Sequence, residues 1–125
     1  MQQVSRVIIS NENKQVLLGK RSSGIEKGKW SILGGKPDEN ESIEQSAIRE
    51  ISEETGLNLL SVTFLFSDHF NDWISYYFEA IIQRQTTWDL TEHSEVQFFS
   101  WDDLQKMENE IAFNHYLVLK RYFKL

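Results

Sequence analysis

Glu50, Glu53 and Glu54 stand at i, i+3 and i+4 inside the stretch 35–57, GKPDENESIEQSAIREISEETGL. On a helix, at about 100° per residue, they share one narrow face. The stretch carries its own helix signals. Asn40, Glu41 and Ser42 offer capping chemistry, which places a start near Asn40 or Ser42, and Gly56 stands where a left-handed residue ends a helix. Three carboxylates on one face repel each other unless something neutralises them. One reading is a solvated acidic face. The other is a site for hard cations such as Mg²⁺, which take carboxylate oxygens and keep positions open for water and phosphate. Two features favour the cation. The acids border an apolar stripe of Ile43, Ala47, Ile48 and Ile51, and Arg49 lies one turn before Glu53. Ahead of the helix, Gly34-Gly35-Lys36-Pro37 forms a loop whose backbone can approach a ligand closely.

The stretch resembles the Nudix box, GX5EX7REUXEEXGU with U aliphatic. Gly35, Glu41, Arg49, Glu50, Ile51, Glu53, Glu54, Gly56 and Leu57 fill every specified position. The resemblance implies an Mg²⁺- or Mn²⁺-dependent hydrolase of MutT-like type. Its metal ligands would be Glu50, Glu53 and Glu54 with the main-chain carbonyl of Gly34 or Gly35, and Glu41 would be a supporting or weak ligand. Either Glu50 or Glu53 would serve as base, Arg49 would orient the glutamates, and Lys36 would contact phosphate. Upstream, Trp30-Ser31-Ile32-Leu33 resembles the family's W-x-x-P-G-G segment with Leu33 in place of proline, so a fixed φ is lost and a less rigid loop entry is expected. Trp30 itself reads as a core or rim aromatic.

The chain's 125 residues fit one domain, expected to span 1–125. Without cysteine there is no disulfide or thiol chemistry. No apolar run reaches the ~18 residues of a membrane span, and residues 1–10 lack a signal-peptide pattern, so the cytoplasm is expected. A net charge of −6 argues against a nucleic-acid polymer as partner. An acidic site would also repel phosphate, a conflict that bound divalent metal removes. Monomer and homodimer both remain open.

The elements that position this helix are legible in outline. Residues 4–10 (VSRVIIS) and 15–21 (QVLLGKR) read as a hairpin, and 22–29 as a loop. Residues 58–67 and 73–83 read as antiparallel strands joined by a turn at 68–72, with His69 a surface residue. Tyr76 and Tyr77 fall on opposite strand faces, one towards the core and the other available to a cleft. Residues 84–94 read as a polar loop, 95–100 as a strand, and Ser100 as the cap of a short helix from Trp101. An amphipathic helix is expected from about 111 to 124. This order, ββ–α–ββ–β–α–α, predicts an α/β or α+β protein with a mixed sheet between helices. The resemblance makes it the Nudix fold, an α/β/α sandwich.

Three further side chains are singled out. Arg21 ends a strand where family members carry a cation that reaches phosphate or ribose; the alternative is a solvated charge. Glu92 or Glu95 lies where relatives place an extra carboxylate near the metals; Glu95 is preferred, with a solvated acid as the equal alternative. Asn114 matches the position from which MutT-like members read an oxidised purine, and it also reads as a helix N-cap. The expected reaction is hydrolysis of a nucleoside diphosphate linked to X, foremost a nucleoside triphosphate such as 8-oxo-dGTP giving monophosphate and pyrophosphate. ADP-ribose and dinucleoside polyphosphates are the enzymatic alternatives, and a non-catalytic nucleotide sensor is the alternative of another class. Pro37 is the only proline, so the downstream proline of many ADP-ribose hydrolases is absent. Asp72, Trp73 and Ile74 stand near the position of the tyrosine used by diadenosine polyphosphate hydrolases.

Overall fold

The computed structural model describes residues 2–83, 88 and 93–125. Seven strands form one sheet: β1 (Gln2–Ser10), β2 (Val16–Arg21), β3 (Trp30–Ser31), β4 (Leu33–Gly35), β5 (Thr63–Phe70), β6 (Trp73–Ile81) and β7 (His93–Phe99). The main path runs β3-β2-β1-β6-β5, with β4 also paired to β1 and β7 to β2. β1 and β6 are parallel from Gln2↔Trp73 to Ser10↔Ile81, and the other pairings are antiparallel. The sheet is therefore mixed, as expected.

Period-two alternation assigns the two faces. Val7, Ile9, Leu17, Leu33 and Phe78 pack with Ala47 and Ile51 of α1 (Ile43–Thr55). Ile8, Val16, Leu18, Trp30, Tyr77 and Phe99 pack on the opposite face with Leu104 of α2 (Trp101–Gln105) and with Val118 and Leu119 of α3 (His115–Tyr122). Helices thus cover both faces of the sheet, which is the α/β/α sandwich. Tyr77 is fully buried in the α3-side core; Tyr76 is half-buried on the α1 side. Among the described residues no helix is long and apolar enough to cross a membrane.

Several boundaries differ from the sequence expectation, each for a local reason. The fifth strand is Thr63–Phe70 rather than 58–67, because Asp68, His69 and Phe70 pair with Ser75, Ile74 and Trp73. The connection is thereby reduced to Asn71-Asp72, with Asn71 at φ 55°. The final helix begins at His115, not near 111. Ile111 bridges to Trp30, the Ala112 N–H donates to the Trp30 carbonyl at 2.7 Å, and Phe113 adopts φ 56°, outside helical space. Residues 30–35 contribute two short strands that had read only as a lead into the glycines. Leu33 is fully buried and paired to Val7, so ladder and packing hold the loop entry that a proline was expected to stiffen. Ser100 caps α2 as expected, accepting from the Asp103 N–H at 3.1 Å.

Of the three candidate caps for α1, Ser42 takes the role. Its hydroxyl accepts from the Gln45 N–H at 3.0 Å, and Gln45 returns the bond to the Ser42 N–H at 2.9 Å. Gly56, at φ 81°, closes the other end, donating to the Ser52 carbonyl. Ser42→Ala should lower stability by about 1 kcal/mol. Urea unfolding checks this: the midpoint should fall with an unchanged m-value.

Candidate active site

Arg49 gathers the acids of the 35–57 stretch. Its Nε and Nη2 donate to both oxygens of Glu41 at 2.8 and 3.0 Å, and its Nη1 donates to Glu50 at 3.0 Å and Glu53 at 3.1 Å. Nη2 also reaches the Lys36 carbonyl at 3.0 Å. The Glu41 bond, with smaller contributions from Glu53 and Glu50, raises the guanidinium further above its ordinary range, so it stays charged. The same bond holds Glu41 below the usual carboxylate range.

Glu54 turns away from Arg49, towards the sheet. It is 1% exposed, and its Oε1 accepts from the Gly34 N–H at 2.9 Å. Its Oε2 faces His93 Nδ1 at 3.5 Å, too long for a good hydrogen bond. Burial, helped by Arg21 and Arg6, pushes His93 down to about 4, so the imidazole is neutral at pH 7. Glu50 lies against Gly35 so closely that a Cβ there would sit 2.3–2.6 Å from its carboxylate. A Cβ on Gly34, at φ 153°, would strike the Ser5 carbonyl at 1.9 Å.

These groups present an all-oxygen donor set, the Glu50 and Glu54 carboxylates beside the Gly34-Gly35 backbone, with half-exposed Glu53 next to it. Such chemistry fits a hard divalent cation, and the missing Cβ of Gly35 is the cradle that admits Glu50. Among the described residues no three acids or histidines are gathered in metal-holding geometry; Glu41, Glu50 and Glu53 are drawn onto Arg49 instead.

Two cavities open beside the acids. One, of about 440 Å³, is polar and lined by Glu54, Gly34, His93, Arg6, Arg21 and Ser22. The other, of about 340 Å³, is mainly apolar, with Phe70, Trp73, Phe113 and Ile25 in its walls and Lys36 and Asn114 as polar members. Arg6 and Arg21 line both. Lys36 holds its ammonium 4.9 Å above the Trp73 ring, and the Arg21 guanidinium stands 4.8 Å above Phe113.

The candidates from sequence therefore divide. Arg49, Glu41, Glu50, Glu53, Glu54, Gly34 and Gly35 form one cluster, and Arg21, Lys36 and Asn114 meet at the adjoining cavities. Glu95 does not join the acids. Its strand neighbours Val96 and Phe98 pack on the α1 side, so by alternation Glu95 faces the other side, 3.8 Å from Lys20. Glu92 lies outside the described residues. Asn114 precedes α3 but makes no capping bond; its Nδ2 donates instead to Asp68 Oδ2 at 3.0 Å. The cap role is thus not taken up. Tyr76 lines neither cavity.

Arg6, His93, Asp68 and His115 had not been singled out. His115 is buried and accepts from the Ile32 N–H through Nδ1 at 3.0 Å. His69, by contrast, is exposed as expected. Only an alternation-breaking Arg among the apolar residues of β1 signalled any of them in the sequence.

The two glycines should respond differently to alanine. Gly34→Ala meets backbone at a positive φ and should cost about 1–3 kcal/mol or more. Gly35→Ala meets only the end of a flexible side chain. Its melting temperature should stay near wild type, while Mn²⁺ affinity by calorimetry falls as Glu50 is displaced. Equal losses of stability in both variants would contradict the geometry.

The buried imidazoles set a pH dependence. Burial, then Arg6 and Arg21, holds His115 well below its ordinary value, as it does His93. The unfolded chain takes these protons near pH 6.5, whereas folded His93 waits until about 4. The unfolded state therefore binds more protons in that window. Stability is complete above 6.5 and is lost as pH falls towards 4, at about 1.4 kcal/mol per pH unit for each imidazole. Chemical denaturation at stepped pH should show a shallower slope for His115→Asn; an unchanged slope would mean that His115 is protonated in the fold.

Comparison with known proteins places this arrangement. The NUDIX domain model matches residues 2–122. A putative 8-oxo-dGTP diphosphatase of Bacillus subtilis is 48% identical over 52 residues, 42% of this chain and 33% of that protein, so the match spans about a third of the relative. An ADP-ribose pyrophosphatase of Methanocaldococcus jannaschii is 30% identical over 125 residues, 94% of this chain and 70% of the relative. Among solved structures, a MutT protein from Methanosarcina mazei superposes with a TM-score of 0.83 at 26% identity, covering 99% of this chain and 96% of that one. With the glutamate helix, its arginine and the two glycines on one sandwich, this chain belongs to the NUDIX family.

Proposed function

We propose that the protein is a divalent-metal-dependent pyrophosphohydrolase acting on a nucleoside diphosphate linked to X, with a nucleoside triphosphate converted to monophosphate and pyrophosphate as its foremost reaction. One observation carries the reading. An acid cluster suited to a hard cation adjoins an apolar cavity of about 340 Å³ walled by aromatic rings, with arginines where the two meet.

Glu50, Glu53 and Glu54 would hold Mg²⁺ or Mn²⁺ with the carbonyl of Gly34 or Gly35, and Glu41 would support them through Arg49. The chemistry such a cation supplies is neutralisation of phosphate oxygens and acidification of water. The chain's own groups do the positioning, which dominates phosphoryl chemistry. Arg49 holds Glu50 and Glu53 in fixed orientation by charge-assisted bonds. Glu53, its side chain 54% exposed, reaches solvent and can take a proton from attacking water; Glu50 is the other candidate for that role. Arg21 and Lys36 meet phosphate, and the aromatic walls take the base.

Asn114 would read the base edge. Asp68 accepts one amide hydrogen, leaving Asn114 a second N–H and its Oδ1 to face a purine that presents both a donor and an acceptor. This favours an oxidised purine such as 8-oxo-dGTP. A second reading, ADP-ribose, is supported by the 30% identity to the archaeal pyrophosphatase over nearly the whole chain.

A side-by-side panel of 8-oxo-dGTP, dGTP, dCTP and ADP-ribose, with and without Mg²⁺, tests both. Turnover should require metal, and Glu53→Gln and Glu54→Gln should each reduce it by orders of magnitude. The apo proteins should keep or slightly gain stability because like-charge repulsion is relieved. Asn114→Ala should erase the preference for the oxidised purine in kcat/KM. Metal-independent turnover would refute the scheme.

A further inference from the structure

Arg6 lines both cavities but was assigned no contact with the nucleotide above, and its hydrogen-bonding capacity is only partly used among the described residues. Its Nη1 donates to the Ile32 carbonyl at 2.8 Å. Its Nε is sealed from solvent and has no hydrogen-bond partner, and Arg6 makes no ion pair among the described residues. Arg6 is partly buried, and a charge drawn even partly out of water is normally paired, because desolvation is costly. A second cation also stands close by. The Arg21 guanidinium shares the Phe113 ring with it, at 4.8 Å against 5.8 Å for Arg6. Burial, with Arg21 adding to it, holds Arg6 below the ordinary arginine range, while Tyr77, Glu54 and Glu50 act through space in the opposite direction.

Position narrows what could complete it. Arg6 stands directly across the β1–β4 ladder from Gly34, whose N–H holds Glu54. It lines both the polar cavity that contains Glu54 and the aromatic cavity that contains Trp73 and Asn114. Arg6 and Arg21 line both cavities, so a ligand that spans the two meets both guanidiniums. A neutral base edge there could accept a hydrogen bond, but it would leave two neighbouring cations uncompensated. An oxyanion compensates the like-charge pair, and it can be met by guanidinium faces that line both cavities.

We infer that Arg6, together with Arg21, forms a two-arginine clamp for the phosphate nearest the nucleoside, making Arg6 a substrate-binding residue. The inference rests on the nucleotide reading above and deepens it. It assigns the join of the two cavities to one anionic group, with the base on one side and the remaining phosphate on the other. The clamp would select nucleotides over nucleosides before any metal binds.

The experiment measures metal-free binding of GMP against guanosine, and of AMP against adenosine, by calorimetry and tryptophan fluorescence. The proteins are wild type, Arg6→Gln and Arg6→Lys, with melting temperatures recorded for each. Wild type should bind the monophosphate of at least one pair more tightly than its nucleoside. Arg6→Gln should lose on the order of tenfold for the monophosphate and leave the nucleoside unchanged, a loss suited to removing a charge-assisted contact. Arg6→Lys should recover part of the preference, since it restores charge without the fork. A merely structural Arg6, pinning Ile32, predicts a changed melting temperature with both ligands affected alike in either variant, and that result overturns the clamp. If wild type discriminates and Arg6→Gln discriminates equally well, the clamp fails while the nucleotide reading stands. If wild type binds none of the four, the nucleotide reading falls and takes the clamp with it.

Discussion

The guanidinium of Arg49 is the constraint on which the acid face depends. Glu41, Glu50 and Glu53 all bond to it, and Asp38 lies 3.3 Å from its Nε. Without that charge Glu50 and Glu53 would repel one another across a single helical turn, with Glu41 of the preceding loop adding to it. The contact with the Lys36 carbonyl does something further: it ties α1 to the loop that leaves β4. Gly35 is thereby kept where its missing side chain makes room for Glu50. Charge neutralisation and loop placement are achieved by one residue. A lysine, with a single donor centre, could not make both connections in this geometry.

The helix acids are also sorted by depth. Glu53 remains half-exposed, Glu50 is pressed against Gly35, and Glu54 is withdrawn to the Gly34 N–H. Their sequence spacing puts them on one face. Their different environments come from the strand that meets that face. Gly34 is the crossing point, because it touches α1 through Glu54 and touches β1 through a ladder so close that no Cβ fits. The sheet separates an acidic side, covered by α1, from a side where rings and cations surround a cavity. At the β1–β4 ladder, where Arg6 pairs with Gly34, the two sides come close to one another.

What was legible in the sequence follows the range of the interactions involved. The helix limits at Ser42 and Gly56, the acid triplet and Arg49 all depend on contacts within a few turns, and periodicity captures those. The opposite faces of Tyr76 and Tyr77 on β6 were legible from period-two alternation. Phe113 shows where local reading fails: its left-handed backbone cuts the amphipathic pattern of 111–124 because Ile111 and Ala112 are held by Trp30. Asn114 had read equally as a cap, but its amide is held by Asp68, 46 residues away. Glu95 had read equally as a solvated acid, and strand alternation puts it on the far face beside Lys20. Arg6 and His115 join through Ile32 across the fold, the latter over 83 residues, and no spacing rule reports such a meeting.

Ile32 also resolves why a leucine can stand before the glycine pair where relatives have proline. Its carbonyl accepts from Arg6 and its N–H donates to His115, so both backbone groups are held by side chains from separate elements. Leu33 next to it is sealed in the α1-side core and paired with Val7. A proline would restrict one torsion; these contacts fix the peptide's position relative to β1, α1 and α3 together. They also couple the two halves of the site. The strand that presents Gly34 to Glu54 is anchored by Arg6 and by His115, both of which line the aromatic cavity. The peptide that leads into Gly34 is thus tied at once to β1, through Arg6, and to the first residue of α3, through His115.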